Sequence, residues 1–183
     1  NWYRSMFPTT YNKKKIIKKY GDFLTFEVTP WYIRKPWLAK RIQNTLKNIK
    51  IITVLRNPID RTYSHYHLAL RDNKITKSFD EIIDEDMDTL KKSFSRNKDK
   101  DYFNNVVQNS FLARSFYAEQ LEQWFKIFNK KNMLIVSSEN LSKNTQDTLN
   151  TIFSFLNLNH QEIPNLEKIN VGKYSPISNS IHK

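Results

Sequence analysis

A chain of 183 residues, 39% hydrophobic and 14% aromatic, holds one domain with a sizeable core and excludes a disordered polar chain. Lys plus Arg number 30 against 18 Asp plus Glu, a net charge of +12 that favours anionic partners: nucleotides, acidic glycans, nucleic acid or anionic membrane surfaces. Cysteine is absent and glycine numbers 2, which excludes thiol catalysis, Cys-ligated zinc, disulfides and a Gly-rich phosphate loop.

In chain order, Lys13, Lys14, Lys15, Lys18 and Lys19 form a basic surface segment around Ile16 and Ile17. The run from Phe23 to Val28 reads as a strand, ended by Thr29-Pro30 because proline cannot donate to a ladder. Pro36 opens a helix to about Leu46, with Leu38, Ile42 and Leu46 on one stripe. Ile51 to Leu55 is the clearest strand, apolar on both faces apart from Thr53, as suits a central strand of a helix-covered parallel sheet.

Asn57 is a good N-cap and Pro58 a good first helical residue. In the helix that follows, Ile59, Tyr63, Tyr66 and Leu70 form the expected core stripe, with Arg61, Ser64 and His65 off it. Asp72 to Lys100 reads as a polar region holding a helix from Phe79 to about Phe94. A long amphipathic helix is expected from about Phe103 to Phe128, its stripe including Tyr117, Leu121, Trp124 and Phe128. Met133 to Val136 is a further buried strand, and Asn144 or Thr145 caps a helix facing inward through Leu149, Ile152, Phe153 and Leu156. The tail from Pro164 is expected to be extended and polar. Strands alternating with helices imply an α/β layered fold.

The segment that carries chemistry is Val54 to Tyr66. A buried strand feeds a tight turn into a helix, and ligands of open α/β sheets bind at the carboxyl ends of strands. Arg56 sits at that end, beside a helix start expected to offer unpaired N–H groups and a positive dipole end. An arginine fork there suits phosphate, and Ser64, about two turns in, adds a hydroxyl.

Here the chain resembles PAPS-dependent sulfotransferases, the heparan-sulfate-type and related prokaryotic ones. Arg56 to Tyr66 looks like that family's 3′-phosphate motif, differing mainly at Thr62. Trp2 to Pro8 resembles the stretch after the family's first helix, Glu27 to Tyr32 its Glu-x-(Ser/Thr)-Pro-x-Tyr segment, and Tyr117 to Phe125 with Leu134 to Leu141 its late helix and last core strand. Asn170 to Pro176 resembles the late loop over the nucleotide. The resemblance implies one sulfotransferase domain over residues 1–183, with a P-loop-NTPase-like parallel sheet flanked by helices. It implies PAPS as co-substrate and PAP as product, with no metal. It also implies that Arg56, Ser64, Gly172, Lys173 and Tyr174 bind the donor and that Glu27 is the catalytic base. The acceptor is then a hydroxyl or amine, carbohydrate or other small molecule, and no nucleic acid is expected.

The family's phosphate loop on the first strand is not in this chain. Gly21 and Gly172 stand alone, and the loop is expected N-terminal to Trp2; the chain begins at Asn1 rather than Met, and it stops before the family's final short helix. Alternative readings are an inactive nucleotide-binding remnant of this fold and a basic nucleic-acid-binding protein. Glu27 also reads as a structural strand-end residue, Arg56 as a partner of Asp60 or Glu27, Ser64 as back-bonded to a helix carbonyl and Lys173 as a tail lysine. His65 reads as a packing or hydrogen-bonding residue, and Arg114 as facing either the site or solvent. No run of ~20 apolar residues and no secretory signal is visible, so a cytoplasmic protein without a membrane span is expected.

Overall fold

The computed structural model describes residues 5–46, 48–95, 109–164, 172 and 174. The chain divides into two compact units, Asn1–Pro30 and Trp31–Lys183.

In the first unit the lysine-rich segment is helix α1, Thr10–Tyr20. Thr9 caps it by accepting the Asn12 N–H at 3.3 Å. Gly21, at φ 86°, ends it by donating to the Ile17 carbonyl. Lys18 and Lys19 lie in the last turn, where the helix dipole favours cations. No residue of α1 is buried, so it carries none of the apolar periodicity by which helices are read. Residues 22–29 form no regular structure, which corrects the strand expected over Phe23–Val28. A strand needs a neighbour to ladder with, and the described residues of this unit supply none; Phe26 and Val28 stay largely exposed.

In the second unit, a 3-10 turn at Tyr32–Arg34 leads into α2, Pro36–Thr45. Strand β1 is Ile51–Leu55, followed by α3, Pro58–Arg71, and α4, Phe79–Ser95. A second 3-10 turn, Ala113–Ser115, precedes α5, Tyr117–Phe125. A third, Lys130–Asn132, leads into β2, Met133–Ser137, then α6, Ser138–Lys143, and α7, Thr145–Leu156. The two strands pair in parallel, in register from Ile51 with Met133 to Leu55 with Ser137. The architecture is the expected α/β one, a parallel sheet flanked by helices. Val54 and Ile135 nevertheless remain 50% and 43% exposed, so the two-stranded sheet is less enclosed than a central strand would be.

The main core gathers Ala39 of α2, Leu121 and Trp124 of α5, Phe128 and Met133. Trp124 also donates its indole N–H to the Ile33 carbonyl at 3.1 Å, joining the first 3-10 turn to this core. A second cluster pairs Leu90 of α4 with Ala113. The polar α4 docks through Asp86, which accepts from the Ser110 hydroxyl and the Leu112 N–H, each at 2.9 Å. Phe79 packs against Tyr63 and Tyr66 of α3.

Two expectations for helices need correcting. The helix expected from about Phe103 to Phe128 is broken: Asn109 is helical, the 3-10 turn and Phe116, at ψ 64°, follow, and α5 covers only Tyr117–Phe125; residues 103–108 lie outside the described ones. On α3 the buried residues are Thr62, Tyr66 and Ala69, a stripe turned by about one position from the expected one. Thr62 and Ala69 are small enough for close approach, and the Thr62 hydroxyl is satisfied internally by donating to the Pro58 carbonyl at 2.8 Å. Among the described residues no helix is long and apolar enough to cross a membrane.

Candidate functional site

The turn at the end of β1 is built from its own side chains. Asn57 caps α3: its Oδ1 accepts the N–H groups of Ile59 and Asp60 at 2.9 and 3.3 Å, and Pro58 occupies the first helical position. Glu139, in the first turn of α6 just past β2, closes the turn from the other side. Its Oε1 accepts the Asn57 N–H at 2.8 Å, and its Oε2 accepts the Ser137 hydroxyl at 2.6 Å. The in-register pairing of Leu55 with Ser137 makes this possible, because both strands end at one level. The bonds from Asn57 and Ser137 hold the Glu139 carboxyl down to about 2.

This geometry corrects one expectation. The N–H groups of Asn57, Ile59 and Asp60 are already partnered, so the start of α3 does not present a row of unpaired donors. What the turn presents is the Arg56 side chain, exposed just past β1, with the positive end of the α3 dipole beside it. Arg56 forms no ion pair with Asp60. Ser64 is half-buried on α3, and its hydroxyl is not back-bonded to a described helix carbonyl.

The late loop reaches the same helix. The Tyr174 ring stacks on His67 at 4.4 Å with a 2° interplanar angle and meets Tyr63 edge-on at 5.7 Å. Ser64 lies about 60° around α3 from position 67, so Tyr174 packs on a face that adjoins Ser64. A Cβ at Gly172 would meet the Tyr174 ring, so a larger residue there would have to displace that ring. Lys173 lies outside the described residues. Glu27 belongs to the first unit, in irregular chain; it is exposed and accepts a hydrogen bond from the Thr29 hydroxyl. Arg56 and Ser64 therefore lie on the turn and helix that follow β1, and Tyr174, two residues after Gly172, packs on that same helix.

Sequence reasoning missed two features. Glu139 was one of these: it is 82 positions from Asn57, and only strand pairing could reveal the contact. The other is a basic cluster on the neighbouring flank of α3. Arg61 donates to Ser115, to Thr62 and to the Phe111 carbonyl, binding α3 to the second 3-10 turn. Arg114 of that turn donates to His65 Nε2 at 2.7 Å, and its guanidinium lies 5.7 Å from the Trp31 ring centroid. Arg34 stacks on the same indole at 4.1 Å. Guanidinium nitrogens can only donate, so His65 Nε2 is unprotonated and the ring neutral. Burial and then the nearby Arg114 push its pKa to about 4. Burial, with repulsion from the other guanidinium groups, lowers Arg34 and Arg61 to about 10. Tyr117 is pushed up by burial, its hydroxyl lying near Ser115 and the Arg56 backbone. The expected alternatives for Arg114 were site or solvent; it packs into this cluster.

A parallel strand pair whose first strand passes through an Arg-Asn-Pro turn into a capped helix is a strand–turn–helix arrangement of the α/β class, whose ligand sites lie at the carboxyl ends of strands. The family model described as a sulfotransferase domain matches residues 36–181, and the chain belongs to that family. It is similar to the membrane-associated sulfotransferase kil1 of Dictyostelium discoideum, at 25% identity over 85% of this chain and 47% of that protein. It is similar to human carbohydrate sulfotransferase 15, at 31% over 61% of this chain and 20% of that protein. The human bifunctional heparan sulfate N-deacetylase/N-sulfotransferase 2 matches at 27% over 86% of this chain and 16% of its own length. The chain thus spans less than half the length of these relatives. Among solved structures, a sulfotransferase from Alicyclobacillus acidocaldarius shares the fold, with TM-score 0.56 at 21% identity, covering 76% of this chain and 53% of that one.

Proposed function

We propose that this chain is the larger part of a PAPS-dependent sulfotransferase domain, moving a sulfo group from PAPS to a hydroxyl or amine of an acceptor, a carbohydrate among the candidates. Family membership and the names of two relatives, a carbohydrate and a heparan sulfate sulfotransferase, support the reaction class and a glycan acceptor. The observation that carries the reading is the exposed Arg56 at the end of β1, beside the α3 dipole, with Ser64 on that helix and Tyr174 packed on an adjoining face.

Arg56 and Ser64 bind the donor's 3′-phosphate in this reading, and Gly172, Lys173 and Tyr174 form the loop over it. The residues fit a phosphate through side chains and dipole rather than through backbone N–H groups. The donor supplies the sulfo group; the chain's own part is to hold the nucleotide and accept a proton. Glu27 takes the proton from the acceptor O–H or N–H as the new bond to sulfur forms and the sulfur–phosphate-oxygen bond breaks. General-base catalysis of this kind contributes about 10²–10⁴-fold, so Glu27→Gln lowers turnover by that factor and leaves donor binding nearly intact. Unchanged turnover removes Glu27 from the role.

Calorimetric titration with PAP against ADP at moderate salt tests the donor site. A charge-assisted contact of roughly 1.5–3 kcal/mol makes Arg56→Ala about 10- to 100-fold weaker for PAP. Equal weak binding of PAP and ADP refutes the reading.

A further inference from the structure

Helix α1 has a charge and surface pattern that the sulfotransferase reading does not use. Five of its 11 residues are lysines, it holds no acidic residue, and none of its side chains is buried. At about 100° per residue, Ile16, Ile17 and Tyr20 share an arc of about 100°. Lys14, Lys15, Lys18 and Lys19 fill the opposite side over about 140°. Lys13 lies within the apolar arc, with its ammonium over the Phe23 ring at 5.9 Å. A surface helix normally turns such an arc to a core, but Ile17 and Tyr20 are 38% and 69% exposed.

The lysines carry a cost as well. Lys14 with Lys18 and Lys15 with Lys19 stand four apart, where like charges repel along a helix. Among the described residues no carboxylate pairs with these four. The helix is short for one in water, and its Thr9 cap and Gly21 terminus are what hold it. A polyanion such as nucleic acid or a glycan would engage the lysines and leave Ile16, Ile17 and Tyr20 in water. A lipid surface takes both: the ammonium groups reach the headgroups while the apolar arc enters the acyl boundary. Such a helix lies in the plane of the membrane, so it needs none of the length or uniform apolarity of a spanning one.

We propose that α1 is an interfacial helix that docks this protein on an anionic lipid bilayer. Ile16, Ile17 and Tyr20 insert, and Lys14, Lys15, Lys18 and Lys19 meet the phosphate and carboxylate headgroups. This docking is independent of the turn between β1 and α3 and of the sulfotransferase reading. A lysine beside an anionic leaflet contributes roughly fivefold to partitioning. The four together supply most of the attraction, and salt weakens it.

The test is cosedimentation of the whole 183-residue chain with two kinds of vesicle. One is phosphatidylcholine alone; the other carries phosphatidylserine and phosphatidylcholine at roughly one to two. The parent partitions onto the anionic vesicles more than about 30-fold more strongly than onto the neutral ones. Lys14→Gln with Lys18→Gln lowers that binding about 25-fold. Ile17→Gln with Tyr20→Gln lowers it about tenfold. Both of those side chains are exposed, so the variant keeps the parent's melting temperature, which reports that it folds. Lys130→Gln with Lys131→Gln removes the same charge from an exposed turn elsewhere and binds as the parent does. Equal binding of the parent to both vesicles, or to neither, overturns the proposal. So does a Lys130 and Lys131 variant as weak as the Lys14 and Lys18 one, which assigns the attraction to net charge. Parent-level binding by the Ile17 and Tyr20 variant overturns it too, leaving α1 as a site for soluble polyanions. Absence of PAP preference in the parent strikes the donor reading alone and leaves each of these outcomes unchanged.

Discussion

Glu139→Ala is the sharpest perturbation of the turn between β1 and α3. The carboxylate accepts two hydrogen bonds, from the Asn57 N–H and the Ser137 hydroxyl. Hydrogen bonds to a charged group are worth roughly 1.5–3 kcal/mol each when shielded. Glu139 is only half-buried, and screening cuts such contributions below that range. The expected cost of the pair is therefore about 1–2.5 kcal/mol. For a chain of this size one kcal/mol moves the melting temperature by about 2–4 °C, so Glu139→Ala lowers Tm by about 2–10 °C at pH 7. Glu139→Gln keeps one acceptor for Asn57 and loses about a third of that. The pH dependence gives an independent signature. A carboxyl held below its ordinary value of 4.5 stabilises the fold fully above that pH and loses the contribution as pH falls toward about 2. Thermal unfolding followed by circular dichroism between pH 2.5 and 7 reads both effects. A Tm within ~1 °C of the parent at pH 7, with an unchanged acid limb, refutes the clamp.

The remaining predictions concern α3 and the core. Because burial and then the neighbouring Arg114 disfavour the imidazolium, His65 titrates at about 4 by proton NMR; stability is complete above about 6.5 and is lost as pH falls from there toward about 4, and a midpoint near 6.5 refutes this buried, arginine-flanked setting. Thr62→Val keeps the volume but removes the hydroxyl that donates to Pro58 and accepts from Arg61, costing about 1–2 kcal/mol in urea unfolding, whereas a neutral result would show that these bonds add nothing. Trp124→Phe loses the bond to Ile33 and some volume, about 1–2 kcal/mol, and Trp124→Ala about 3–5 kcal/mol by the same assay; equal costs would place the stabilisation in the bond alone.

Much of the second unit was legible because its signals are local. Ile51–Leu55, the Asn57 cap, Pro58 and the Phe79 helix are written in adjacent residues, and each sits where the sequence put it. The failures have physical causes. The run from Phe23 to Val28 has strand composition but no ladder partner among the described residues of its unit. The lysine-rich α1 is held by its Thr9 cap and its Gly21 terminus rather than by an apolar face. On α3 the chain buries Thr62 and Ala69 because small residues permit close approach, a choice that hydrophobic spacing cannot anticipate. In the site, Arg56 and Ser64 could be read from a contiguous motif. Glu139 and the Arg34–Arg61–Arg114 cluster could not, since their contacts depend on how distant segments pack.

The level ending of β1 and β2 separates what can vary from what cannot. The turn between β1 and α3 is fixed by Leu55 beside Ser137 and by Glu139 reaching Asn57. From the segment between α3 and β2, Ser115 and Tyr117 also touch it, at the Pro58 carbonyl and the Arg56 backbone. Insertions or deletions in the loop of residues 72–78 leave the turn untouched, since they shift no strand residue. One residue added within β2 displaces Glu139 from Asn57 and turns alternate side chains to the opposite face. A single point of strand alignment thus carries the turn, and length changes outside the strands reach it only where they move Ser115 or Tyr117.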